Sequence, residues 1–269
     1  MCPFVEQKMK IYLHQFTPDL EPGINYQALV EIFEKNSNAD LIVCPELFLT
    51  GFAYDKLEEL ATENLYHIKN IQKLCTNSKT AFAGTFFWKE GKRYFNRALF
   101  IDDQGDILTF YDKRNLIPAF KENEHLTPGK KKSIIKYKEV YTGIAICYDL
   151  RFPELFREYG KKETDLVIVM AQWPESRMEH LKILARARAL ENQCYLVVVN
   201  TVGMVGKVEM AGHSMIVSPR GEILLDLQKN NHGKLFQIHL AEVLKFRSEF
   251  PVLYQYSRPG IFNKKFFNL

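Results

Sequence analysis

Three reactive side chains each stand where an apolar run turns polar. "LIVCPELFLTGF" delivers Glu46, "LTFYDKRNLIP" delivers Lys113 and "GIAICYDLRFPE" delivers Cys147. In α/β sheets ligands collect beyond the carboxyl ends of strands, so adjacent ends bring a carboxylate, an ammonium and a thiol to one pocket. A free thiol titrates at about 8.5 and attacks poorly at neutral pH unless a base removes its proton or a cation steadies the thiolate. Glu46 is the candidate base, and Lys113 can lower the thiol's pKa and hold the oxyanion formed on attack at a carbonyl or nitrile carbon. The backbone N–H of Tyr148, directly after the thiol at a strand-to-helix turn, offers a second oxyanion donor. Taken singly, each residue has a plainer reading. Cys147 is then a small core hydrophobe, Glu46 a loop carboxylate, and Lys113 with Asp112 an exposed ion pair.

The elements that must position these groups alternate in type. "MKIYLHQ" (9–15) reads as a strand and "YQALVEIFEKN" (26–36) as a helix with Leu29, Val30, Ile32 and Phe33 on one face. A buried strand at 40–47 and a polar helix from about 56 to 77 follow. Strands are expected at 80–87, 97–102 and 107–113, with turns at Gly91 and 103–105. The stretch from Arg114 to about Lys138, holding Pro118, Pro128 and Gly129, reads as a long irregular loop, and such loops in compact domains carry function. The strand leading to Cys147 precedes a helix from Pro153 to about Gly160, a strand at 165–171 and a helix from about 175 to 193. "YLVVVNTVG", "GHSMIVSP", "EILLDL" and "KLFQIHL" supply the last strands. No Gly-, Pro- or Ser-rich linker divides the chain, which predicts one α/β domain of sheets covered by helices.

Composition agrees. The 269 residues are 46% hydrophobic and 25% charged, with a net charge of +4, an ordinary soluble balance that gives no electrostatic case for nucleic acid or membrane. The N-terminus lacks the pattern of a signal peptide, and runs such as "LVIVMA" are far below a membrane span of roughly 20 residues. Five cysteines, at 2, 44, 75, 147 and 194, form no CxxC pair, which fits free thiols in a reducing cytoplasm. The seven histidines show no HExxH or HxH spacing and no phosphate loop is present, so neither metal nor cofactor is expected.

Taken in order, "PELFLTGF", "YDKRNLIP", "GIAICYDLRFPELFR" and "AQWPESRMEHLKILARARALENQCYLVVVNTVG" resemble the signature blocks of the nitrilase superfamily of carbon-nitrogen hydrolases, over about residues 9 to 250. The resemblance implies a four-layer α-β-β-α sandwich, a single domain over 1–269 with a C-terminal extension at about 251–269, and a Glu46, Lys113, Cys147 triad. It also implies a second glutamate in the irregular loop. In "FKENEHLTPG" Glu122 fits best by its spacing to Gly129, with Glu124 as the alternative. "CYDLRFPELFR", "AQWPESR" and "ARALENQCY" are closest to the omega-amidase branch, which hydrolyses the terminal amide of 2-oxoglutaramate or 2-oxosuccinamate. Other members hydrolyse nitriles, N-carbamoyl amino acids or other short amides. The family usually shows His-Trp where this chain has His180-Leu181, a helical position that should pack. A homodimer through the helices flanking the cysteine and the C-terminal region is a further implication.

An omega-amidase must also hold a distal carboxylate, for which Arg151, Arg114 and Arg177 lie near the right blocks. Arg151 with Glu154 can equally form a structural ion pair at the turn, and Trp173 can wall the substrate pocket or fill core. Arg186, Arg188 and Glu191 read as structural pairs on their helix.

Overall fold

The computed structural model describes residues 7–253. In chain order these form β1 (Lys8–Leu13), α1 (Pro22–Lys35), β2 (Leu41–Val43), α2 (Leu57–Ser78), β3 (Ala81–Glu90), β4 (Arg93–Ile101) and β5 (Ile107–Asp112). There follow α3 (Glu122–His125), β6 (Ile134–Tyr137), β7 (Val140–Ile146), α4 (Pro153–Gly160), β8 (Leu166–Ala171), α5 (Met178–Asn192) and β9 (Tyr195–Asn200). The last are β10 (Val202–Val205), β11 (Val208–Ala211), β12 (Met215–Val217), β13 (Ile223–Asp226), β14 (Lys234–His239) and α6 (Ala241–Glu249).

Two six-stranded sheets carry the fold, in the orders β14-β1-β2-β3-β4-β5 and β13-β12-β9-β8-β7-β6. At the centre of each the strands run parallel: β1 with β2 and β2 with β3, then β7 with β8 and β8 with β9. Parallel strands covered on both faces read as unbroken apolar runs, which is why β2, β8 and β9 are buried along their whole length. The period of two sorts their side chains. Ile11, Leu13, Leu41, Val43, Ala81 and Ala83 meet the second sheet in one core, while Tyr12, Ile42 and Phe82 turn to the opposite face. There they meet Leu29 and Phe33 of α1 and Ile68, Ile71 and Cys75 of α2. On the far side of the second sheet, Leu155, Phe156 and Tyr159 of α4 and Leu181, Ala185 and Ala189 of α5 complete the outer layer. The expected α-β-β-α sandwich is the observed one, and Leu181 packs as its position predicts.

Three expectations change. The stretch 114–138 is not irregular throughout, because it contains α3 and ends in β6, which pairs antiparallel with β7. The β3–β4 hairpin runs on past 87 to a turn between Glu90 and Arg93. The small β10–β11 hairpin and α6 had no separate sequence signal. Cys44, Cys75, Cys147 and Cys194 are free and buried, and Cys2 lies outside the described residues, as does most of the C-terminal extension. Among the described residues no helix is long and apolar enough to cross a membrane.

Candidate active site

Each candidate group sits just past the end of a strand at the same edge of the sandwich. Glu46 follows β2, Lys113 follows β5 and Cys147 follows β7. Leu47 and Cys147 both adopt left-handed backbone, with φ of 45° and 44°. That conformation is costly for a residue with a Cβ and marks a sharply turned chain. At Cys147 it swings the chain from β7 into a 3-10 turn over Cys147–Arg151, which leads on to α4.

Asp149 fixes that turn. Its fully buried carboxylate accepts four hydrogen bonds: from the Ile146 N–H at 3.0 Å, the Tyr111 hydroxyl at 2.8 Å, the Asn115 N–H at 2.9 Å and the Asn115 side-chain amide at 2.8 Å. The segment carrying the thiol is thereby tied to the segment carrying Lys113. Gly129 secures the same strand end from the loop side, since its N–H donates to the Lys113 carbonyl at 2.8 Å. A Cβ there would fall 2.1 Å from the Asp112 carbonyl oxygen, so only glycine fits.

The four groups form one buried charge cluster. Lys113 Nζ donates to Glu46 Oε1 at 2.8 Å and to Glu122 Oε1 at 2.8 Å. Glu46 Oε1 also accepts from the Asn96 side-chain amide at 2.7 Å, and Oε2 from the Gln172 N–H at 3.1 Å. The Gln172 side-chain amide donates to the Glu46 carbonyl at 2.7 Å, and Glu122 Oε2 accepts from the Ile117 N–H at 2.8 Å. Cys147 Sγ lies 3.8 Å from the Gln172 carbonyl. Glu46 and Glu122 are 0% exposed, Lys113 1% and Cys147 7%. Glu124 is exposed and lies outside this cluster.

One ammonium faces two carboxylates in this cluster. Burial raises the Glu46 carboxyl above its usual range and the Glu122 charge adds to it, while Lys113 pulls the other way. Burial pushes the Cys147 thiol well up and the Glu46 charge pushes it further. On Lys113 burial works against the charge, but Glu46 and Glu122 outweigh it and hold the ammonium well above its ordinary value. The resting state is therefore a neutral thiol beside a basic carboxylate and a fixed cation, an arrangement able to deliver a thiolate only as its proton moves to Glu46.

A narrow cleft opens onto the thiol. Tyr148, Arg151, Trp173 and Arg177 line it with Lys113, Cys147 and Gln172. Trp173 both walls the cleft and fills core: it is 2% exposed, and its indole N–H donates to the Arg177 carbonyl at 2.7 Å. Arg151 does not pair with Glu154. Its guanidinium lies over the Trp173 ring at 4.6 Å and the Tyr148 ring at 5.9 Å, and reaches His180 Nδ1 at 3.4 Å. Arg114 faces elsewhere, 3.8 Å from Glu158. Asp112 does not pair with Lys113 either, because Arg97 grips it with two bonds of 2.6 and 2.9 Å. Arg188 holds Glu191 at 3.1 Å and the Leu150 carbonyl at 3.1 Å, a structural role. Among the described residues no group of three His, Cys, Asp or Glu side chains is placed to hold a metal ion.

Sequence reasoning passed over Asn96, Gln172, Asp149 and Tyr54. Gln172 carried a signal, being the first polar residue after the run of β8, just as Glu46 and Cys147 follow theirs. Tyr54 carried none. Its hydroxyl is buried without a hydrogen-bond partner among the described residues, and burial pushes the phenol well above its ordinary value.

Known proteins bear the same architecture. A family model described as carbon-nitrogen hydrolase matches residues 10–243. The chain is similar to a protein named "Hydrolase in agr operon" from Staphylococcus aureus, 33% identical over 91% of this chain and 96% of that one. It is also similar to a 2-oxoglutaramate amidase from Bacillus subtilis, 31% identical over 86% and 91%. Among solved structures it resembles a CN-hydrolase superfamily protein from Xanthomonas campestris with an arsenic adduct in its active site. That match has a TM-score of 0.86 at 26% identity and covers 93% of this chain and 97% of the other. With its matched length, two-sheet sandwich and helical outer layers, the chain belongs to the carbon-nitrogen hydrolase family, within the nitrilase superfamily.

Proposed function

We propose that the chain is an omega-amidase, hydrolysing the terminal amide of a short monoamide such as 2-oxoglutaramate or 2-oxosuccinamate. The observation that carries this reading is the pair of guanidiniums beside the thiol. Arg151 and Arg177 line the cleft, and among the described residues neither forms an ion pair with a carboxylate. Two such cations in one cleft suit the distal carboxylate of the substrate. The name of the Bacillus subtilis relative supports the same substrate class.

Glu46 takes the thiol proton as Cys147 Sγ attacks the amide carbon. Lys113 and the Tyr148 N–H hold the oxyanion, and oxyanion donors of this kind are worth on the order of 3 to 4 kcal/mol each. The carbon-nitrogen bond breaks as Glu46 returns the proton to nitrogen, ammonia leaves, and a thioester remains. Water deprotonated by Glu46 then attacks the thioester carbon, the sulfur departs and regains a proton, and the acid is released. Glu122 fixes Lys113 from the side opposite Glu46 and helps position the substrate. The same reading includes a homodimer through α5 and the C-terminal region, supported by the exposed Ile183, Leu190, Leu244 and Phe250 and measured by sedimentation.

A substrate panel read by ammonia release tests the assignment: 2-oxoglutaramate, an uncharged short amide, an aliphatic nitrile and an N-carbamoyl amino acid. The expected order places the carboxylate-bearing monoamide first. Preference for the nitrile or for the uncharged amide overturns it.

A further inference from the structure

A second, wider cleft of ≈ 760 Å³ adjoins the first, and the two share Phe52 and Phe120. Ile117, Tyr148, Arg151 and Arg177 continue from the narrow cleft toward His180, into a pocket that shares no lining residue with the wide cleft. The narrow cleft, with Cys147 in its lining, therefore joins a cationic end to the wide cleft. Among the described residues that line the wide cleft only Asp19 is charged at neutral pH, and Leu20, Phe52, Met204, Val205 and Met210 make it largely apolar. Phe52 joins the two clefts: its ring lies 6.0 Å from that of Tyr54 in the wide cleft and 5.8 Å from that of Phe120, and it lines the narrow cleft together with Lys113 and Cys147.

We infer that the wide cleft is an amine-side subsite, which accepts an apolar substituent on the amide nitrogen and so extends the activity to N-substituted omega-amides. The inference rests on the proposed omega-amidase reading, because that reading commits the acyl end to Arg151 and Arg177. An amide has two ends, and the group entering the other cleft is then the one on nitrogen. The chemistry balances as for ammonia. The Sγ–C bond forms, the C–N bond breaks, Glu46 gives its proton to nitrogen, and a primary amine leaves in place of ammonia. Water then cleaves the thioester. Asp19 favours the departing amine once it is protonated and disfavours a second carboxylate. Filling a cleft of this size with an apolar group releases water from its walls, which favours binding.

The test uses the primary monoamide of glutaric acid and its N-benzyl derivative, with ammonia and benzylamine measured separately. The expected result is cleavage of both, with kcat/KM values within about tenfold of each other. Met204 is 56% exposed, so Met204→Asp is compatible with the fold. It is expected to lower kcat/KM for the N-benzyl amide about tenfold or more and to leave the primary amide unchanged. Cleavage of the primary amide alone, or equal losses on both in M204D, overturns the amine-side subsite while the omega-amidase reading stands. Release of neither amine from either compound overturns that reading, and this inference with it.

Discussion

Lys113→Met tests the charge cluster through both stability and rate. In the native protein one ammonium lies 2.8 Å from each of two carboxylates that are 0% exposed. Its removal leaves two buried negative charges facing an apolar chain. Breaking a buried ion pair from one side costs about 3 to 5 kcal/mol, a large part of a typical domain stability of roughly 5 to 15 kcal/mol. The cost depends on pH with a definite sign. Burial already holds Glu46 above its ordinary value of 4.5, and loss of the cation raises it further. The folded variant therefore keeps a proton that the unfolded chain has released. The deficit is small at low pH and grows as pH rises past about 4.5. Adding Glu122→Gln returns the cluster to its native net charge, so K113M/E122Q is expected to recover more than half of the stability lost at pH 7. It does not restore the cation facing the oxyanion, so both variants should fall about 100-fold or more in kcat. Urea unfolding at pH 5 and pH 7 measures the first effect and ammonia release the second. Equal deficits at the two pH values, or a double variant no more stable than the single at pH 7, refute the electrostatic reasoning.

Other outcomes follow from the same geometry. Arg177→Ala should raise KM for a carboxylate-bearing amide about tenfold or more, since hydrogen bonds to charged groups contribute about 1.5 to 3 kcal/mol; KM for an uncharged amide should stay put, and parallel changes in both refute the carboxylate site. Because burial raises Glu46 and only its ionised form accepts the thiol proton, the acid limb of the kcat/KM profile should lie above 4.5; a limb at or below that value contradicts Glu46 as the base. His14 stacks on Phe16 at 4.3 Å with both ring nitrogens unpartnered among the described residues, and burial lowers it from 6.5 to about 4. The unfolded chain therefore gains a proton first, and stability falls by about 3 kcal/mol as pH drops from 6.5 to 4. His14→Phe should flatten that slope in unfolding experiments across the same range, and an unchanged slope refutes the assignment.

What the sequence made legible follows from burial. The strands before Glu46 and Cys147 could be read because central parallel strands are covered on both faces and leave unbroken apolar runs. Spacing favours Glu122 over Glu124 but carries no information on burial; Glu122 is buried and Glu124 exposed. Asn96 escaped because its contact with Glu46 spans 50 positions, and the bonds between Gln172 and Glu46 span 126. No local pattern encodes such a pairing. Arg151 and Glu154 looked like a pair because they are neighbours in sequence, but the Trp173 ring offers the guanidinium a flat face at 4.6 Å. The β10–β11 hairpin went unread because each strand is only 4 residues long and most of its positions are at least partly open, so neither an unbroken apolar run nor a clean alternation marks it.

The central claim is a covalent intermediate on Cys147. Rapid acid quench of the protein during turnover of 2-oxoglutaramate, followed by peptide mass measurement, reads it directly. The account predicts a peptide containing Cys147 heavier by the acyl group of the substrate, and neither that adduct nor ammonia release in Cys147→Ala. Ammonia release by Cys147→Ala at the native rate, or acylation at a different residue, contradicts it.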